Sequence, residues 1–271
     1  MKNPKIRRTL TFHNYYSRLK MIALTLFKWE NLPESCNARF LENCLFHHGK
    51  AVFVCDDTMG YLNLKVTPSD VLNVYNEPVH YHAYSHNYSR DFHRDECVYI
   101  RNNLIELPTD FTISMYAERL ALLDGAIGVN IHAQKTPIII RCDEKTRITV
   151  QKLYENYDGD TPVIYGSKNL VDKPLDVLKT DAPFVADRLR EEKTAVWNEC
   201  LEFLGVNTNP ADKKKERLIV NEVDSNNEQI DIQFESMLHT RQIACENINK
   251  MFGLNVSVSK NVIENEVKNV G

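Results

Sequence analysis

The spacing of apolar residues changes several times along this 271-residue chain. Residues 15–29, YYSRLKMIALTLFKW, follow a helical period and stop at ENLP, where Pro33 disfavours continuation. ARFLENCLFHHG predicts a shorter helix closed by Gly49. From Ala51 to Arg101 the helical period is lost. AVFVCDD, GYLNLKV, VLNVY, VHYHAY and CVYIR are short β-prone runs, broken at Asp56-Asp57, Gly60, Pro68 and Pro78. Such regular spacing predicts a small β-barrel or meander inserted in a helical protein. A long helix is predicted over 107–135, capped by Thr109 or Asp110 and followed by Pro137. Thr136–Lys179 reads as a compact α/β unit, with strands at PIIIRC, PVIYG and LDVLK and a short helix at TVQKLYENYDG. A second long helix spans Lys179–Gly205, with Asp181 as N-cap, Pro183 in the first turn and Gly205 after the last. Residues 207–229 are polar with little periodicity and predict a mobile loop. A final helix from about Ile230 to Phe252 ends at Gly253, and LNVSVSK is strand-like.

The two long helices differ in texture. In the second, Val185, Leu189, Val196, Trp197, Cys200, Leu201 and Leu204 fall largely at helical spacing, but Asp187–Lys193 (DRLREEK) makes a charged waist. One face there looks onto water or a polyanion. In the first, Ala117, Ala121 and Gly125 recur every four residues and form a smooth stripe that lets a neighbouring helix come close. Gly125 and Gly128 each cost about 1 kcal/mol against alanine inside a helix, which points to close packing or a bend; an ordinary buried helix is the alternative.

Charge and composition narrow the function. Hydrophobic content of 43% and charged content of 26% are ordinary for a globular chain. No run of 18 apolar residues exists, so no membrane-spanning helix is expected, and the basic start lacks the apolar stretch of a secretory signal. Seven scattered cysteines without a CxxC pair predict free thiols in a reducing compartment. A net charge of −4 gives no general affinity for nucleic acid, so any DNA contact is local or weak. Lys2, Lys5, Arg7, Arg8, Arg18 and Lys20 form either a solvated basic arm or a tail touching nucleic acid or a partner.

Candidate chemistry is sparse. His80, His82, His86 and His93, near Asp91, Glu96 and Cys97, are the one cluster with metal-ligand residue types. No HExxH helix accompanies them, and a plain β-surface is the simpler reading. His47-His48 fits the negative end of a helix dipole, and Asp56-Asp57 and Asp158-Gly-Asp160 fit turns. No GxxxxGK[ST], GxGxxG or GxSxG occurs, so nucleotide-loop and hydrolase-elbow chemistry have no support. The residues describe a structural protein without cofactor or metal, not an enzyme.

FKWENLP (27–33), NIHAQKTP (130–137), LKTDAPFVADRL (178–189), AVWNECLEFLG (195–205), KKERLIVNEVDSNNEQI (214–230) and ACENINKMFGLNV (244–256) occur in one order and at consistent spacing. Together they resemble the upper collar protein, the head–tail connector or portal, of phi-29-like short-tailed phages. The resemblance covers roughly residues 20–258 and is weakest over 51–101. It implies an α+β portal fold: arm and wing helices over 1–50, a β-rich, SH3-barrel-like wing insertion over 51–106, a first stem helix over 107–135 and a clip over 136–180. A second stem helix over 181–206, a channel loop over 207–229 and a C-terminal wing helix and strand over 230–271 complete it. It further implies a closed dodecameric ring at one capsid vertex, with double-stranded DNA passing during packaging and ejection. The partners implied are the capsid protein, the lower collar or tail, a separate packaging ATPase and, in some relatives, a packaging RNA. Lys179, Lys214 and Lys215, with Arg188 in place of a lysine, match the family's channel cations, and Lys213 and Arg217 lie beside them in the loop. Ala117, Ala121 and Gly125 would pack stem helices together. Two other readings stay open: a metal-dependent hydrolase or nuclease on the His80–His93 cluster, and a non-specific DNA-binding module.

Overall fold

The computed structural model describes residues 4–134, 138–141, 163–166, 175–177, 183–206 and 220–261. These residues divide between two compact units, one drawn from 1–8 and 120–195 and the other from 9–119 and 196–271.

In the chain's first third, α1 (Pro4–Leu24) leads to β1 (Phe27–Glu30) and then α2 (Ala38–His48). The first helix therefore starts well before Tyr15, and Phe27–Trp29 leave it for a strand. Thr25 marks the break: its hydroxyl donates to the Met21 and Ile22 carbonyls, and the freed chain pairs with the C-terminal strand, Trp29 opposite Val258. α2 is fixed at both ends. Asn37 accepts from the Phe40 N–H at 2.9 Å, and Gly49 takes φ 72° with its N–H on the Leu45 carbonyl. A Cβ at Gly49 would sit 2.0 Å from the Glu106 carbonyl oxygen, so only glycine fits there.

The β-rich region forms a five-stranded antiparallel sheet of β2 (Lys50–Asp56), β3 (Gly60–Pro68), β4 (His80–Tyr84), β5 (Ser89–His93) and β6 (Cys97–Arg101). Strand order is β5-β4-β3-β2-β6. β5 and β6 lie at opposite edges, so the sheet is open and the expected barrel does not close. β6 returns to the free side of β2, Val52 facing Tyr99, instead of pairing with β5. VLNVY is not a strand either; the Asn73 side chain folds it into a turn by accepting from the Tyr75 and Glu77 amides. One sheet face buries Val52, Val54, Leu64, Val66, Tyr81, Ala83, Phe92 and Cys97. On the other face Phe53 packs on Tyr61 and on Phe252 of the C-terminal helix. At about 1.5–3 kcal/mol per fully buried large apolar side chain, this two-faced burial outweighs the ladder bonds in holding the sheet.

α3 (Thr109–Gln134) takes Thr109 and Asp110 into its first turn, so neither is its cap. The Asp110 carboxylate instead accepts from Tyr16 at 2.7 Å and meets His47 at 2.9 Å. β7 (Ile138–Arg141), β8 (Val163–Gly166) and β9 (Leu175–Val177) form a small mixed sheet in the order β8-β7-β9, at the three predicted places. The short helix expected at TVQKLYENYDG lies outside the described residues. α4 (Ala186–Phe203) begins after Pro183, which precedes the helix and is not in its first turn; Asp181 lies outside the described residues. Its end is a Schellman turn: Val206 N–H reaches the Leu201 carbonyl, Gly205 N–H the Glu202 carbonyl, and Gly205 has φ 72°.

α5 (Val220–Phe252) starts ten residues before Ile230, so the second half of the expected loop is helix. No glycine or proline interrupts those 33 residues, and a helix nucleated in the apolar C-terminal half propagates at little cost. β10 (Ser257–Lys260) closes the described chain, its approach shaped by the Asn249 side chain bonding both the N–H and the carbonyl of Val256.

Candidate channel helices and assembly surfaces

α4 has one covered seam. Ala186, Val196, Cys200 and Leu204 are buried, with Leu189 and Lys193 half-buried between them, which is one stripe at 3.6 residues per turn. Asp187, Arg188, Arg190, Glu191 and Glu192 are exposed. Arg188 and Arg190 are two positions apart, hence about 160° apart around the axis, and look to opposite flanks of the helix. Among the described residues neither has an ion-pair partner.

Within the smaller unit, α4 is tied to α3 in two places. Lys193 Nζ meets Asp124 at 2.5 Å, and the Asn130 amide brackets the helix start, donating to the Pro183 carbonyl and accepting from the Val185 N–H. Within the larger unit, Tyr116 OH and the Arg119 guanidinium both donate to the Glu199 carboxylate, at 3.0 and 3.2 Å. Burial, with the Glu199 bond added, pushes the Tyr116 phenol up to about 12. The Arg18 guanidinium of α1 lies 4.8 Å over the Trp197 ring. Within the smaller unit the two ties, Asp124 to Lys193 and Asn130 to Pro183 and Val185, run in opposite chain directions, so α3 and α4 are antiparallel there.

α3 is apolar on two faces. Ile113, Tyr116, Ala117, Leu120 and Ala121 are buried. Phe111, Met115, Leu122 and Val129, at 69, 49, 48 and 70% exposure, fall within about 40° of one another on the opposite face. Gly125 and Gly128 have open space where a Cβ would be. The predicted stripe therefore divides: Ala117 and Ala121 are covered by this chain, Gly125 is not.

Of the predicted channel cations, Arg188 is exposed on α4; Lys179, Lys213, Lys214, Lys215 and Arg217 lie outside the described residues. The histidines are engaged in pairs. His80 stacks edge-on against His93 across β4 and β5, His82 Nδ1 meets Asp91 at 2.6 Å, and His93 Nδ1 meets Asp95 at 2.8 Å. Among the described residues no three histidine, cysteine, aspartate or glutamate side chains gather as metal ligands. Asp56 is a turn former: it accepts from the Thr58 and Met59 amides, Tyr88 OH and Arg90, with Tyr88 the largest cause holding its carboxyl down to about 2. Asp158 and Asp160 lie outside the described residues. His47 also does more than face a helix end, bridging Lys20 at 2.6 Å to Asp110. Burial pushes the Cys36 and Cys44 thiols up to about 11 and those of Cys97, Cys200 and Cys245 up to about 12, so they are protonated at neutral pH.

One polar cluster was invisible in the sequence. Arg241 of α5, 2% exposed, donates twice to Glu42 of α2, to the carbonyls of Asn102 and Met237 and to the Asn102 side chain. Trp29 adds an indole bond to Glu42, and the guanidinium lies 4.0 Å over the Phe27 ring. The pair joins α2, α5, β1 and the β6–α3 connection in one fully bonded network.

Residues 2–264 match the family described as Phage Connector (GP10). The chain belongs to that family. It is a phage portal subunit, a head–tail connector, and part of the virion. The fold agrees with the portal in the portal-and-tail structure of native bacteriophage P68, at TM-score 0.50 and 16% identity over 93% of this chain and 86% of that one. Two further structures are similar at TM-score 0.44. One is from a gene transfer agent virion, at 11% identity over 95% of this chain and 84% of that one. The other is an HK97-family phage portal from Corynebacterium diphtheriae, at 10% identity over 95% and 94%. The match to the P68 structure gives the connector a portal-like α+β fold.

Proposed function

We propose that twelve copies of this connector close into a ring at one capsid vertex, with α3 and α4 as the stem around a channel for double-stranded DNA. The carrying observation is α3, whose second apolar face is bare in the single chain. A helix apolar on two opposite faces needs cover on both, and a heterologous contact that closes supplies it by making a neighbour cover the second. The open positions at Gly125 and Gly128 leave room for a close backbone approach.

The channel acts mechanically. Twelve subunits at −4 each carry −48, so the ring as a whole repels DNA and lets it slide. Arg188, Lys179 and the loop cations Lys213, Lys214, Lys215 and Arg217, each repeated twelve times, form bands that screen phosphates locally without trapping them. The subunit hydrolyses nothing; ATP is consumed by a separate packaging motor, the clip over 136–180 receives the tail, and the capsid protein surrounds the wing. Lys214→Ala with Lys215→Ala tests the channel assignment. Rings form as in the wild type, but packaged DNA slips back more readily in a retention assay. Loss of ring assembly would make the loop structural and remove the assignment.

A further inference from the structure

β6 is an edge strand that stays open. It pairs with β2 alone, and the bond from Asn102 N–H to the Gly49 carbonyl sets the phase of the ladder. Pairs 100–51 and 98–53 are therefore the hydrogen-bonded ones, and the N–H and C=O groups of Cys97, Tyr99 and Arg101 point away from the sheet. Among the described residues these groups have no partner.

Opposite that edge runs one face of α5. Thr240, Ile243, Ala244, Asn247, Lys250 and Met251 recur at three- and four-residue steps and line, with β6, a cavity of about 530 Å³. Ile243 and Met251, both on its wall, are each 40% exposed. Its rim holds Arg94, Arg101 and Lys250; Arg94 pairs with Glu77 at 2.6 Å, and Arg101 pairs with Glu106 at 3.0 Å and lies 3.8 Å from Glu77. Lys250, in the last turn of α5, has no acidic partner among the described residues. All of these residues belong to the larger unit.

We infer that this groove between β6 and α5 binds an extended acidic segment of a partner protein by strand addition. Outward-pointing amides at every second residue are what an added strand bonds, and a helix face across from them receives that strand's alternate side chains. Lys250, the rim cation without an acidic partner among the described residues, selects a segment carrying glutamate or aspartate beside its apolar residues. The main chain supplies affinity and the Lys250 charge supplies selection.

The test uses the full-length protein and a labelled decapeptide of alternating valine and threonine ending in two glutamates, followed by fluorescence anisotropy. The peptide binds; methylation of its alternate backbone nitrogens, which removes the donors an edge strand needs, weakens binding at least tenfold. Ile243→Asp on the groove wall does the same, and Lys250→Glu reverses the preference toward a lysine-ended peptide. Circular dichroism unchanged in both variants keeps a folding defect apart from a binding one, since both side chains are exposed. Equal binding of the methylated peptide, or no effect of Ile243→Asp, overturns the proposal. So does a groove that binds peptide in the free subunit but is closed in the assembled particle, because a neighbouring copy then fills it.

Discussion

At the residue scale, the buried pair Arg241–Glu42 carries the most consequence. Breaking a buried ion pair from one side leaves a charge without its counterpart and costs about 3–5 kcal/mol, whereas replacing both partners by apolar groups is often near neutral. Arg241→Ala therefore lowers unfolding free energy by about that amount, and Arg241→Met with Glu42→Leu recovers much of it, measured by denaturant unfolding. The recovery is incomplete, because Trp29 and Asn102 lose their partners as well. The sequence offered no hint of this pair, whose members stand 199 positions apart. A second residue effect is set by pH. The Asp56 carboxyl is held at about 2 against an ordinary 3.8, so its bonds stabilise the fold above about pH 4 and are lost as pH falls through about 2. Asp56→Asn thus melts at a lower temperature than the wild type at pH 7, and the gap narrows toward pH 2 in a calorimetric series.

At the scale of elements, helix ends were legible and helix faces were not. Gly49, Gly205 and Gly253 stop helices where the sequence placed the stops, because a left-handed residue is a local requirement that glycine meets without steric cost. The Asn37 cap is similarly local. β5 was missed because SRDFH exposes polar residues on its outer face, and the barrel was expected because strand spacing says nothing of which edges meet. Asn73 and Asn103 show the same limit in the other direction. Each accepts from the amides two and four residues on, with Asn76 and Glu106 at positive φ, and each turn lifts two large apolar side chains into solvent. For α3, the sequence showed the Ala117–Ala121–Gly125 stripe but not which side the chain leaves bare. That bare face gives an element-scale prediction. Phe111→Glu with Leu122→Glu leaves the subunit folded by circular dichroism but shifts it from ring to monomer in sedimentation, since unpaired charge is then buried in the contact with the neighbour. Unchanged assembly would mean that α3 is not the contact.

At the scale of the whole molecule, the family was readable from six ordered sequence blocks, while the channel's chemistry was only partly so. In the proposed ring, Arg188 and Arg190, on opposite flanks of the α4 waist, give the channel wall a single guanidinium per subunit. A ring then presents spaced cations over a net negative body, which suits a polymer that must move in both directions. Electron microscopy of the purified full-length protein, averaged along the particle axis and paired with native mass measurement, tests the account most directly. It predicts a closed twelve-membered ring with a central channel, twelve copies of 31.4 kDa giving about 377 kDa. Particles that remain monomers or small dimers across a wide range of salt would contradict it.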